Sequence, residues 1–379
     1  MRIGINALYA IPGKVGGSEI YLRCLLAALA RVDSENEYVV FTNRESAGRL
    51  ALGENFREAP LGVRAVNRPA RALWEQTALP RRCRREGVDL LHSLGSSAPL
   101  RLSCPSVVTV LDLIYLRFPE TFPWWTRATV RYFTARAASR AAAVIALSDY
   151  SRDEIMWGLD VSWDRIFSVP LGAGSLEGRE LERPARVRLL RDMGIVSPYI
   201  LTVSAAHPHK NLGRLLEAFF RFRREGGLHQ LVVVGVRHSR HYQRLRRIVE
   251  RLELDADVVF TGWIDDEAKL ALYREAAVFI YPSLLEGFGL PVLEAMRARV
   301  PVCCSDVPSL NEVAGDAALR FDPYSTGEMA SALEECIYNE EPRRRLVEAG
   351  IAHAGTFSWE RTAAQTLEIY RRIGEGRKR

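Results

Sequence analysis

Six cysteines occur in the 379-residue chain, at 24, 83, 104, 303, 304 and 336, and no two form a Cys-x-x-Cys pair. No histidine spacing suits zinc either, so a structural metal knot is not expected. Cys303 and Cys304 are neighbours in an apolar run, which reads as core packing in a reducing compartment. No stretch reaches the ~18 uncharged apolar residues a spanning helix needs, which speaks against an integral membrane protein. The opening MRIGINALYA lacks a long apolar region and a cleavage site, and reads as a strand rather than a signal peptide. A Gly-x-Gly-x-x-Gly fingerprint for dinucleotides is missing. So is any nucleic-acid-binding motif, and no nucleic-acid partner is expected.

Hydrophobic residues make up 48% and charged residues 26%, which excludes disordered and fibrous chains. At roughly 150 residues per domain the length suggests two domains. The net charge is +6, and nearly every base is arginine. Residues 61–140 hold 13 basic against 5 acidic side chains, while residues 171–379 balance 30 against 29. A basic first half suits an anionic partner, either a phosphate-bearing substrate or a membrane surface, or else simply solvates an arginine-rich chain.

Short apolar runs alternate with helical patterns throughout. In the first half they are 2–8, 38–43, 88–93, 106–113, 142–148 and 166–172. In the second they are 199–204, 230–235, 258–262, 278–283, 301–306 and 317–321. Continuous apolar strands separated by helices predict parallel sheets covered on both faces. Residues 18–32 place Ile20, Leu22, Leu25, Leu26 and Leu29 on one broad helical face. The stretch 173–186 has no period, is rich in glycine and charge, and reads as a linker. Expected domains are therefore 1–172 and 187–355, with a closing helix over 356–379. Ligands of open α/β sheets bind beyond the carboxyl ends of the strands, so two such domains facing a cleft could hold one large ligand.

The sharpest segment is YPSLLEGFGLPVLEAM, 281–296. Glu286 falls in the loop after one strand, and Glu294 in the first turns of the next helix. Gly287 and Gly289 let a ligand approach the backbone just before a helix N-terminus, a place that binds anions or sugar hydroxyls. A helix-start carboxylate held by the macrodipole beside a glycine turn is the structural alternative. Lys210 also stands at a helix start, where a cation opposes the dipole, so its placement favours a bound diphosphate. In the first half, PGKVGGSEIYL sets Gly16 and Gly17 before Ser18, a candidate N-cap.

The run EGFGLPVLEAM with its two glutamates resembles the signature of retaining glycosyltransferases of the GT-B fold, in particular glycosyltransferase family 4. The resemblance spans nearly the whole chain: YILTVSAAHPHKNLGRLLEAF, FTGWIDDEAKLALYREAAVFIYPS, VPSLNEVAGDAALRFDP and FSWERTAAQTLEIYRR keep the family's order. It implies a sugar transfer from a nucleotide-diphosphate donor, guessed as GDP-mannose, to a glycan acceptor, a lipid-linked surface polysaccharide. Carried onto this chain, it assigns Glu286 to the donor sugar, Glu294 to the ribose, Lys210 and His209 to the diphosphate, and Gly287, Phe288, Gly289 and Leu290 to the donor. Gly16 and Gly17 lie near donor phosphate and acceptor in the family. WEQTALP, 74–80, places Glu75 and Gln76 on the acceptor side. His92 ends a strand, so it either faces the cleft on the acceptor side, the favoured reading, or is a satisfied strand-end residue. Leu111-Asp112 stands where many relatives carry His-Asp, so Asp112 is the candidate that takes over at the reacting sugar. His209 stands where arginine is usual.

No cofactor and no metal are expected. Asp255-Ala256-Asp257 matches a pattern that holds metal in other glycosyltransferases, but it precedes a strand and reads as a solvated turn. His238-x-x-His241 reads as surface. Residues 124–140 mix Trp124, Trp125, Tyr132 and Phe133 with Arg127, Arg131, Arg136 and Arg140. They form either a helix lying on an anionic bilayer or, as the favoured reading, an ordinary helix with aromatics packed inward and arginines outward. The expected location is cytoplasmic, with peripheral attachment to the inner face of the cell membrane. A catalytically inactive nucleotide-sugar or glycan-binding scaffold and a GT-B epimerase are the alternatives.

Overall fold

A computed structural model describes residues 1–13, 16–174, 181–196, 198–236 and 239–376. They divide into two compact units, Met1–Gly172 with Ser358–Arg379, and Ala173–Phe357.

Unit 1 runs β1 (Arg2–Asn6), α1 (Gly17–Val32), β2 (Glu37–Thr42), β3 (Phe56–Pro60), α2 (Arg68–Arg85), β4 (Leu90–Ser93), β5 (Ser106–Val110), α3 (Ile114–Arg117), α4 (Trp124–Arg140), β6 (Ala143–Ala146), α5 (Asp149–Leu159) and β7 (Ile166–Ser168). Its strands form one parallel sheet of order β3-β2-β1-β4-β5-β6-β7. The apolar runs are strands because both sheet faces are covered, so side chains of either parity must be apolar. β3 has no such run. It is an edge strand paired only to β2, burying Phe56 and Ala59 while Arg57 and Pro60 face water. Ser18 is not the cap of α1. Gly16 takes that place with φ 61°, and its carbonyl accepts the Glu19 amide at 2.9 Å.

Unit 2 runs α6 (Arg183–Asp192), β8 (Tyr199–Val203), α7 (Leu212–Arg224), β9 (Gln230–Val234), α8 (Arg240–Arg251), β10 (Val258–Gly262), α9 (Asp266–Glu275), β11 (Val278–Tyr281), α10 (Leu290–Arg297), β12 (Val302–Ser305), α11 (Pro308–Ala314), β13 (Leu319–Phe321), α12 (Thr326–Tyr338) and α13 (Glu340–Ala354). The sheet is again parallel, ordered β10-β9-β8-β11-β12-β13. Leu215, Phe219 and Phe222 of α7 pack with Val233, Ile280 and Cys303 in its core. Cys303 and Cys304 are fully buried thiols, as the apolar run implied.

The stretch read as a linker is partly a built element. Residues 175–180 lie outside the described residues, and from Arg183 the chain is helical, with Arg186 paired to Glu275 of α9 at 2.7 Å. The last helix, α14 (Trp359–Gly376), belongs to unit 1. Its Glu360 pairs with Arg31 of α1 at 2.7 Å, and Trp359 lies 6.4 Å from the Tyr21 ring.

The favoured reading of α4 does not hold. From Trp124 to Tyr132 no residue is buried, and Trp124, Trp125 and Tyr132 are 71%, 59% and 53% exposed. Only Thr134, Ala137 and Ala138, near the other end, reach the core. Apolar and basic residues alternate around the helix axis here, so no single face can carry the aromatics inward.

Candidate active site

In each sheet the strand order reverses once, between β1 and β4 in unit 1 and between β8 and β11 in unit 2. Loops leaving the carboxyl ends of two such neighbours diverge to opposite faces and open a crevice where ligands bind.

In unit 2 the chain sets one charged residue on each of these loops. Lys210 ends a 3-10 turn, Pro208–Lys210, that follows β8, and Glu286 sits in the loop after β11. Lys210 Nζ donates to Glu286 Oε1 at 2.6 Å and to the Tyr281 hydroxyl at 3.1 Å. Both side chains are largely buried, 15% and 9% exposed. Burial alone would raise the Glu286 carboxyl, but Lys210 and then His209 hold it below the usual carboxylate range. Burial would likewise lower Lys210, and the Glu286 charge followed by Tyr281 raises it instead. The result is a pair that stays ionised at neutral pH. Tyr281 was not foreseen as part of it. An aromatic closing a buried strand reads as core, and it is indeed 2% exposed.

Next to this pair, Asn211 adopts a left-handed φ of 58° and ends the turn before α7. Its side-chain Nδ2 donates to the Pro323 carbonyl at 2.7 Å, which anchors the start of the helix. His209 is buried and stacks on His207 at 5.7 Å. Burial first, then the Lys210 charge, push its imidazole down to about 3. It is therefore a neutral donor and acceptor at pH 7, not a substitute for a fixed arginine charge. His241, read as surface, is half-buried with its ring 6.2 Å from that of His207. His238 lies outside the described residues.

Gly289, with φ 115°, precedes α10. That φ favours glycine, and a Cβ there would also stand 2.7 Å from Leu310 Cδ2, which would have to shift. The side chains of Phe288 and Leu290 are buried, Phe288 against Phe357 at 6.0 Å, leaving their backbone as the part a ligand could meet. Glu294 is 2% exposed, with Oε1 3.3 Å from Lys269 Nζ and Oε2 accepting from the Tyr273 hydroxyl at 2.9 Å. The i, i+4 spacing of Lys269 and Tyr273 puts both on one face of α9. That spacing is visible in the sequence, but nothing there names their partner.

At the reversal in unit 1, Asn6 closes β1 and donates to Glu75 Oε1 at 2.7 Å, and Ser97, in the loop after β4, donates to Glu75 Oε2 at 2.9 Å. Burial raises the Glu75 carboxyl against the pull of Asn6, Ser97 and Arg71, so it keeps its proton to higher pH than an ordinary glutamic acid. Gly16 and Gly17 lie at the start of α1, where an added Cβ would meet nothing within 4 Å. Their neighbours Lys14 and Val15 lie outside the described residues. Asp112 follows β5, is half-buried, and accepts the Ile114 amide at 3.1 Å.

Two assigned residues are bonded within unit 1. Gln76 donates to the Ala98 carbonyl at 3.0 Å and accepts the Leu100 amide at 2.9 Å, so its side chain braces the loop after β4. His92 is fully buried, Nδ1 2.6 Å from the Tyr370 hydroxyl and Nε2 2.8 Å from Thr109 Oγ1. Burial drives its imidazole to about 3. It ties β4 to β5 and α14. Asp255 and Asp257 are paired with separate arginines, Arg246 at 2.9 Å and Arg223 at 3.0 Å. Among the described residues no group of three or more His, Cys, Asp or Glu is placed to hold a metal ion.

The Glycosyltransferase Family 4 domain matches residues 15–173, and the Glycosyl transferases group 1 domain matches residues 196–353. The O-antigen chain mannosyltransferase B of Escherichia coli is 30% identical over 285 residues, 74% of this chain and 74% of that protein. The chain belongs to glycosyltransferase family 4. Within the family it is also 29% identical to the serotype-specific mannosyltransferase WbdA of Escherichia coli over 238 residues, 62% of this chain and 29% of that longer protein. Sucrose-phosphate synthase from Thermosynechococcus elongatus superposes with a TM-score of 0.80 at 19% identity, covering 99% of this chain and 100% of that one. WaaG, a glycosyltransferase involved in lipopolysaccharide biosynthesis, superposes with a TM-score of 0.73 at 18% identity, covering 97% and 99%. The fold of this family 4 enzyme is GT-B, and it is a glycosyltransferase acting on glycans. Among the described residues no helix is long and apolar enough to cross a membrane.

Proposed function

We propose that the enzyme transfers mannose from GDP-mannose to a lipid-linked glycan with retention of anomeric configuration. The observation that carries this reading is the Lys210–Glu286 pair at the strand-order reversal of the group 1 domain. The mannosyltransferase relatives support the choice of sugar. Unit 2 holds the donor and unit 1 the acceptor. Lys210 faces the diphosphate, with His209 and the first amides of α7 beside it. Glu286 accepts hydroxyls of the donor sugar, the backbone of 287–290 approaches it, and Glu294 accepts the ribose hydroxyls.

As the bond from the anomeric carbon to the diphosphate breaks, negative charge grows on the leaving group. A fixed cation and oriented amides stabilise that charge with little reorganisation. The acceptor hydroxyl forms the new bond on the same face and passes its proton to the departing phosphate oxygen. No metal is needed, because Lys210 and helix N-termini supply the positive field. On the acceptor side, Gly16 and Gly17 leave the start of α1 open, Glu75 offers a carboxyl at the reversal of unit 1, and Asp112 stands after the next strand. The exposed Trp124, Trp125 and Tyr132 among Arg127, Arg131 and Arg136 support a peripheral seat on the inner face of the cell membrane.

The test is GDP release from GDP-mannose with a mannose-terminated glycoside, with and without EDTA, and proton NMR of the product. An α-linked product at an EDTA-independent rate is expected. A β-linked product, or turnover only with another nucleotide sugar, overturns the reading of stereochemistry or donor respectively. Loss on chelation that Mg²⁺ restores overturns the metal-free assignment.

A further inference from the structure

The chain has four lysines, at 14, 210, 269 and 378. The two among the described residues each meet one of the two glutamates of the 281–296 segment, Lys210 with Glu286 and Lys269 with Glu294. Every other base of unit 2 is arginine or histidine. That choice has a physical reason at Glu294. An arginine fork matches a carboxylate bidentately and would claim both oxygens at once, whereas an ammonium is a point charge that can serve one. Lys269 takes Oε1, and Tyr273 takes Oε2. Lys269 is held in turn by Asp266 at 3.5 Å, and Tyr273, fully buried, also reaches the Pro291 carbonyl at 3.4 Å. Burial and the Glu294 charge raise the Tyr273 phenol well above its ordinary range, so it remains a hydrogen-bond donor at every working pH. A donor from α9 on each oxygen helps to set the plane of a carboxylate that projects from α10.

We propose that Lys269 is a positioning residue of the donor site, holding Glu294 so that its oxygens receive the vicinal ribose hydroxyls and the enzyme selects ribonucleotide over 2′-deoxyribonucleotide donors. The inference rests on the assignment of Glu294 to the ribose. It predicts a linkage between a protein group and a ligand group that do not touch. Removing Lys269 weakens the ribose contact, and removing the 2′-hydroxyl leaves that contact with less to lose, so the two losses are not additive.

The experiment titrates GDP and UDP and their 2′-deoxy counterparts against the full-length enzyme by calorimetry, for the parent, Lys269→Met and Glu294→Gln, with melting temperatures to check folding. For whichever base binds, the parent prefers ribo over deoxy by roughly 10-fold or more, the value of a hydrogen bond to a charged group. Lys269→Met brings that preference below about 3-fold by weakening the ribonucleotide chiefly. If Lys269→Met does not fold, Lys269→Gln, which keeps a donor without the charge, is measured the same way and should also lower the preference. Equal weakening of ribo and deoxy ligands, or an unchanged preference, makes Lys269 a structural residue and overturns the inference while the ribose assignment stands. A preference that also survives Glu294→Gln, or is absent from the parent, overturns the ribose assignment and the inference with it.

Discussion

Consider removing one partner of the Lys210–Glu286 pair. The two side chains are 15% and 9% exposed and 2.6 Å apart. Deleting one partner of a buried pair strands the other charge and costs about 3–5 kcal/mol, whereas replacing both with apolar groups is often close to neutral. Lys210→Met and Glu286→Leu should each destabilise unit 2 by about 3 kcal/mol. The double variant should cost less than the sum by at least ~2 kcal/mol. Hydrogen exchange of peptides covering β8 and β11 reads this locally, which matters because a chain of two units need not unfold in one step. The pH dependence follows from the direction of each shift. Glu286 is depressed in the fold, so its contribution is complete above the unfolded carboxyl value of about 4.3 and fades as pH falls through its lower folded value. Lys210 is raised, so its contribution is complete below about 10.4 and is lost as pH rises from there through its higher folded value. Between those limits the coupling is flat. In activity, either single variant should lower kcat/KM at least ~100-fold, about 2.7 kcal/mol of transition-state stabilisation. Additive exchange costs, or single variants costing under ~1 kcal/mol with near-normal turnover, would refute both the buried pairing and its part in the reaction.

Two further outcomes separate structural from functional residues. His92→Leu strands the Tyr370 hydroxyl, leaves the Thr109 hydroxyl only its bond to Tyr21, and should destabilise unit 1 by about 1–3 kcal/mol, with kcat/KM per folded molecule unchanged. Its imidazole is depressed to about 3, so the parent loses stability below pH ~6.5 as the unfolded chain takes up the proton. The variant should lack that share of the acid slope in urea titrations, and a selective rise in acceptor KM would contradict the assignment. On α4, Arg127→Glu, Arg131→Glu and Arg136→Glu together should abolish salt-sensitive sedimentation with anionic vesicles, each arginine near such a bilayer being worth about 1 kcal/mol. Activity on a soluble acceptor should persist, and a parent that ignores these vesicles at low salt makes the arginines ordinary solvation.

Much of this enzyme was legible along the chain. Strands covered on both faces are apolar at most positions, so the twelve runs that mark β1, β2 and β4–β13 stand out without alignment or structure. β3 did not, because FREAP buries only Phe56 and Ala59 and carries no apolar run, whereas the other edge strands β7, β10 and β13 keep theirs. The residues flanking the reversal of unit 2 were also visible as types, a lysine before one helix and a glutamate before another. Their meeting was not, since Lys210 and Glu286 lie 76 residues apart and only the order β8-β11 makes their strands neighbours. The same holds for Lys269 and Glu294, 25 residues apart on different helices. A histidine closing an apolar strand looks like a ligand-facing group. What decided otherwise was Tyr370, 278 residues away on a helix that returns to unit 1. Local sequence determines which segments become strands and helices, because period and turn chemistry act over a few residues. Which polar groups are spent inside the fold and which remain for a substrate is settled by contacts between distant segments, and these exist only once the sheets are assembled.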